Sequence, residues 1–152
     1  MAPGLYIPDP TEGITRVEDL PPPRLQRCSR NYRRRRCPGC GRPAYRYDRG
    51  RRTLHDVGDL RDGRPLDLQV VYSKHRCDRC RRRFAADLSD LAPPGSHYTQ
   101  RVIAVAVRLA VEDGLPYRVA SWHLWRDHRV FVPFATIQNW VEAAEKKGGA
   151  GE

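Results

Sequence analysis

Four cysteines carry the clearest chemistry in the sequence. Cys37-Pro38-Gly39-Cys40 and Cys77-Asp78-Arg79-Cys80 are two C-x-x-C pairs with 36 residues between them. Such a turn points two thiolates at one ion while its backbone amides donate to sulfur, and two turns complete a tetrahedron. The pattern predicts one structural zinc held by Cys37, Cys40, Cys77 and Cys80. The competing use of C-x-x-C, a thioredoxin-like redox pair, needs one motif at a helix N-terminus in a βαβ unit and gives no reason for a second. With four thiolates as ligands no position is open to a reacting water, so the expected zinc is structural rather than catalytic. Cys28 makes the cysteine count five, an odd number that does not suit a disulfide framework. It reads as a free thiol, His55 and His75 as strand residues, and His97, His123 and His128 as helix or loop residues with no ligand partner at a telling spacing.

Arginine is the second chemical signal. The chain has 28 basic against 18 acidic residues, and 25 of the basic ones are Arg. From Arg24 to Arg83 there are 20 basic and 6 acidic residues, net +14, whereas the stretches on either side are slightly acidic. Two runs, Arg33-Arg34-Arg35-Arg36 and Arg81-Arg82-Arg83, adjoin the two cysteine pairs, so a shared metal would gather them into one patch. A patch of that sign suits a polyanion. No apolar run approaches the length of a membrane span and no signal-peptide pattern opens the chain, so the expected partner is nucleic acid rather than membrane, and the expected location cytoplasmic.

The elements that must position these residues fall into two kinds. Met1 to Pro23 holds six prolines and four acids and reads as an extended or loose tail. Residues 24–92 form an Arg-rich arm and a four-cysteine zinc ribbon. Within it AYRYD, TLHDVGDL and Leu66-Asp67-Leu68-Gln69-Val70-Val71-Tyr72 read as short strands, with a turn at Arg61-Asp62-Gly63-Arg64. Ala92-Pro93-Pro94-Gly95 marks the boundary. Beyond it, 93–147, the apolar period becomes helical. Val102, Val105, Ala106, Leu109 and Ala110 share one face of a helix stopped by Gly114. Val119, Ala120, His123 and Leu124 form the inner face of a second, with Pro116 at its first position. Ile137, Trp140, Val141 and Ala144 line a third that starts near Phe134. Three short helices in this span have the size of a helix-turn-helix domain. Residues 148–152 read as a flexible tail. The expected fold class is α+β, a small β zinc ribbon followed by a three-helix domain.

Taken together, Cys-Pro-x-Cys-Gly, His55-Asp56-Val57, Gly63-Arg64-Pro65-Leu66-Asp67-Leu68, Lys74-His75-Arg76-Cys77, Cys80, Arg82 and Phe84, then Thr99-Gln100-Arg101, resemble the N-terminal zinc-binding and helix-turn-helix segments of ISL-type insertion-sequence transposases. The resemblance spans about Cys37 to Lys147, and its ribbon half is the more specific. It implies binding of transposon-end or related duplex DNA in a bacterial cell, at the nucleoid. In that family a DDE catalytic domain follows, and it would begin where this sequence stops at Glu152. The expectation is therefore a DNA-binding protein that is not itself an enzyme, with a separately encoded transposase catalytic domain as the protein partner the resemblance suggests.

On this reading Arg33 to Arg36 and Arg81 to Arg83 neutralise phosphates, while Thr136, Gln138 and Asn139 on the third helix face base edges. An RNA-binding zinc ribbon is the alternative, with Tyr32, Tyr45, Tyr47 or Tyr72 stacking on bases. The Thr136-Ile137-Gln138-Asn139-Trp140 helix favours duplex DNA.

Overall fold

The computed structural model describes residues 21–150, with side chains described as far as Lys147. The acidic segment up to residue 20 and the final two residues of the expected tail lie outside the described residues. The described fold is α+β, with five strands in one sheet and three helices.

The strands are β1 (Arg24–Arg30), β2 (Arg34–Arg36), β3 (Pro43–Asp59), β4 (Arg64–Arg76) and β5 (Arg83–Ala85). They lie in the order β1-β4-β3-β2, with β5 also paired to β4. The Arg-rich arm is therefore built into the sheet, through β1 on β4 and β2 antiparallel to β3 with Arg34 opposite Tyr45. The two strands expected as AYRYD and TLHDVGDL are one continuous strand, β3. Gly50 between them does not break it, because the Tyr72 ring of β4 covers the space a side chain there would need. An aromatic ring laid over a strand glycine supplies the packing the glycine lacks. The expected turn closes the β3–β4 hairpin: Gly63, at φ 68°, donates its N–H to the Asp59 carbonyl at 3.1 Å.

The helices are α1 (Gln100–Val111), α2 (Tyr117–His128) and α3 (Phe134–Ala150). Pro116 sits just outside α2 instead of at its first position, in an extended conformation, and its carbonyl accepts the Ala120 N–H at 2.8 Å. Arg129, in the left-handed conformation, ends α2. The third helix runs on to Ala150, past the stop expected at 147.

The chain divides into two compact units that do not follow the sequence in single blocks. The strand unit is Leu25–His55 with Asp67–Gln100. The helical unit is Asp56–Leu66 with the chain from Arg101 onward, together with the described residues before Leu25. The boundary thus differs from the expected break at 92 and 93. Residues 93–100 stay with the strands because the His55 N–H donates to the His97 carbonyl (2.7 Å) and the Thr99 N–H to the His55 carbonyl (3.0 Å). The hairpin tip belongs with the helices. There Asp56, fully buried, accepts a charge-assisted bond from Arg101 of α1, and Gly58 lets the Arg64 carbonyl and the Arg129 side chain approach.

Each unit has its own apolar interior. Leu54, Leu68, Val70 and Ala92 form the centre of the strand unit, with Cys28, Leu88 and Leu91 against them. Cys28 is therefore a packing residue away from the other four cysteines. The helical unit buries Val102 and Ala106 of α1, Ala120, Leu124 and Trp125 of α2, Val130 and Val132, and Ile137 and Val141 of α3. Trp125 takes the inner position, while Val119 and His123 are only half-buried and Ala144 is exposed. No helix among the described residues is long and apolar enough to cross a membrane.

Candidate metal centre and nucleic-acid interface

The two cysteine pairs form turns built alike. The Cys37 N–H donates to the Arg42 carbonyl at 2.8 Å, and the Cys77 N–H to the Arg82 carbonyl at 2.9 Å. The residue after the second cysteine of each turn is left-handed, Gly41 at φ 73° and Arg81 at φ 58°. Glycine adopts that conformation without penalty, whereas for arginine it costs about 1 kcal/mol. Strands β2, β3, β4 and β5 flank the turns and set them face to face.

All four sulfurs consequently lie within 4.8 Å of one another. Cys37 and Cys80 are 3.4 Å apart, as are Cys40 and Cys77. Four sulfurs around a tetrahedral ion at a bond length of about 2.3 Å would be separated by about 3.8 Å, so the cluster matches one metal ion in size and in donor type. Cys37 and Cys77 are buried; Cys40 and Cys80 are exposed.

Proton affinities differ across the cluster. The Cys40 backbone N–H favours the Cys37 thiolate over the opposing effect of burial, with help from Gly39, and the Cys37 pKa falls below that of an ordinary thiol. Cys77 falls further, to about 6, chiefly through the Cys80 backbone N–H, with burial opposing and the Cys40 thiol and Arg79 amide assisting. Cys80 goes the other way. The Arg82 amide favours its thiolate, but Cys37, burial and Cys77 together push it up to about 11. Like charges packed this closely cannot all ionise alone. A bound cation is what would hold four thiolates in this space.

His75 supports the centre from beneath. It is fully buried, with Nδ1 3.0 Å from the Ala44 carbonyl, Nε2 2.7 Å from Ser73 Oγ, and its ring stacked on Phe84 at 5.3 Å. Both ring nitrogens are occupied by these bonds, so it acts as a strand residue. His55 likewise engages Asp67, at 2.8 Å.

The two arginine runs are exposed around this centre, Arg33 leading into β2 and Arg81 to Arg83 leaving the second turn. Arg82 reaches the first turn: a methyl group on Gly39 would lie 3.1 Å from its guanidinium. Arg34, Arg35 and Arg36 line an open groove of about 820 Å³ with Phe84 and Asp87. Arg36 donates to the Gly41 carbonyl at 3.2 Å, and Arg35 lies 3.8 Å over the Tyr32 ring. Among the described residues none of these seven guanidiniums forms an ion pair with a carboxylate.

The helical candidates separate. Asn139 is exposed on α3, whereas the Gln138 amide donates to Glu142 Oε1 at 3.0 Å and Thr136 is half-buried. Two residues not foreseen stand beside them. Arg118 of α2 lies 4.5 Å over the ring of Phe134, which is exposed at the start of α3. Helix packing makes that pair, and nothing in local spacing signals it.

No protein-family model matches the chain, and comparison with curated proteins and with solved structures finds no significant match.

Proposed function

We propose that this chain is a zinc-stabilised, non-catalytic DNA-binding protein of the transposase N-terminal kind. Its four-cysteine ribbon grips phosphates, and its three helices act as a helix-turn-helix that reads bases. The carrying observation is that two arginine runs distant in sequence stand exposed around one four-cysteine cluster, with no carboxylate among the described residues in an ion pair with them. Like charges gathered this way repel unless a polyanion joins them. Zinc, when bound, neutralises thiolate charge and ties the two turns together; it offers no coordination site for a substrate. The arginines then supply affinity without sequence information. Asn139, exposed on α3, has an amide able to pair with adenine N6 and N7 in the major groove, and Arg118 adds charge near the start of that helix.

The test is a titration of labelled duplex DNA against salt. Each phosphate contact contributes about 0.9 to the logarithmic slope, so Arg34→Ala with Arg35→Ala should flatten it by about 1.8 on cognate and random duplex alike. Binding that ignores salt, or a slope unchanged by the double variant, would refute the phosphate role. Stronger binding of single-stranded RNA than of duplex DNA at matched salt would replace this reading with RNA recognition.

A further inference from the structure

Beside the metal centre, β3 exposes two aromatic rings that the duplex reading does not use. Tyr45 and Tyr47 are 56% and 51% exposed. They alternate with Arg46, so their side chains share one face of the strand, about 6.8 Å apart. That is about twice the 3.4 Å step between stacked bases of one strand. Arginines frame both rings: Arg34 is the cross-strand partner of Tyr45, and the Arg83 guanidinium lies 5.7 Å from the centre of the Tyr47 ring. Arg49, the next residue on that face, is also exposed. A phosphate contact needs no aromatic face, and in a duplex both faces of each base are already stacked. Rings held open among arginines suit bases that have lost their neighbours, with guanidiniums placed for the phosphates between them.

We propose that Tyr45 and Tyr47 form a stacking platform for unpaired bases of single-stranded DNA, such as a frayed or displaced strand beside the bound duplex. This rests on the DNA-binding reading above, which supplies the charge complementarity and makes the strand DNA. One base stacks on each tyrosine, while Arg34, Arg49 and Arg83 hold the intervening phosphates. Sequence preference at this platform is weak, because every base has a π-face.

The experiment compares an oligothymidylate of about 12 nucleotides with a duplex of equal length, titrated against the metal-loaded full chain at one salt concentration. Tyr45→Leu with Tyr47→Leu keeps apolar bulk on an exposed strand and removes only the aromatic faces. Affinity for the single strand should fall about 5- to 140-fold per tyrosine, while duplex affinity stays within about twofold. Tyr45→Phe with Tyr47→Phe should bind like the wild type. An unchanged single-strand affinity in the leucine variant, an equal loss on duplex, or loss in the phenylalanine variant would overturn the platform and leave the duplex reading standing. Oligouridylate bound more tightly than oligothymidylate would overturn the choice of DNA. Failure of the wild type to bind duplex at all would overturn the parent reading, and the platform with it.

Discussion

Removing the ion from the four-cysteine centre should melt the cysteine end of the strand unit and leave the helices folded. Apart from the thiols, the buried interior at that end is Ala44 with part of the Phe84 ring and the hydrogen-bonded His75. So little apolar burial cannot hold two turns whose thiols also repel one another as they ionise. A structural zinc contributes about 10–16 kcal/mol in small zinc-binding units near neutral pH, comparable with the total stability of about 5–15 kcal/mol for an ordinary domain. Withdrawing it is therefore enough to open this end. The placement of chromophores allows the two units to be followed separately. Trp122, Trp125 and Trp140 all lie on α2 and α3, whereas five of the six described tyrosines, Tyr32, Tyr45, Tyr47, Tyr72 and Tyr98, lie in the strand unit and only Tyr117 lies on α2. On titration with a strong chelator, tyrosine near-ultraviolet circular dichroism should fall in part while tryptophan emission holds its wavelength. Zinc release measured alongside should reach one ion per chain. Acid should act like the chelator, because the ligands bind only as thiolates and protonation competes with the metal. Cys77→Ser should show the melted signature without chelator. Folded protein with metal content near zero, a Cys77→Ser variant that melts with the wild type, or tryptophan emission that shifts together with the tyrosine signal would refute the reasoning.

Gly50→Ala should destabilise the chain by about 1–3 kcal/mol in urea denaturation, since a methyl group there has no room against the Tyr72 ring; an unchanged midpoint would contradict that packing. Arg81→Gly should relieve about 1 kcal/mol of left-handed strain and raise the melting temperature, while lowering the salt slope of DNA binding by about 0.9. A lowered melting temperature would show that Arg81 is not strained. Arg101→Ala takes a charged partner from buried Asp56 and should cost about 1–3 kcal/mol, read as a loss in the tryptophan-detected unfolding transition. Asn139→Ala should cost about 1–3 kcal/mol on the cognate duplex alone, whereas Gln138→Ala, whose amide is engaged with Glu142, should leave discrimination as it was; unchanged discrimination in the Asn139→Ala variant would remove Asn139 from base reading, and an equal loss in both would put Gln138 on the bases as well.

The cysteine quartet was legible in the sequence because ligand chemistry is local: a C-x-x-C turn presents two sulfurs whatever surrounds it, and two turns need only meet. The helices were legible for a similar reason, since the 3.6-residue period of Val102 and Ala106, or of Ile137 and Val141, registers which face is apolar before any partner is known. Even the left-handed Arg81 was open to sequence reading, by its equivalence to Gly41 in the other turn. What tertiary structure alone decided depends on residues far apart along the chain. AYRYD and TLHDVGDL read as two strands until Tyr72 is laid over Gly50 between them, and the hairpin tip reads as ribbon until Asp56 meets Arg101 and Gly58 meets Arg129. The Arg118–Phe134 pair exists only because α2 packs on α3, and Arg82 reaches Gly39 only because the two turns face each other. Periodicity and spacing record what a residue demands of its immediate neighbours, whereas burial, ion pairing and close approach depend on which distant surface arrives, and that is determined when the whole chain packs.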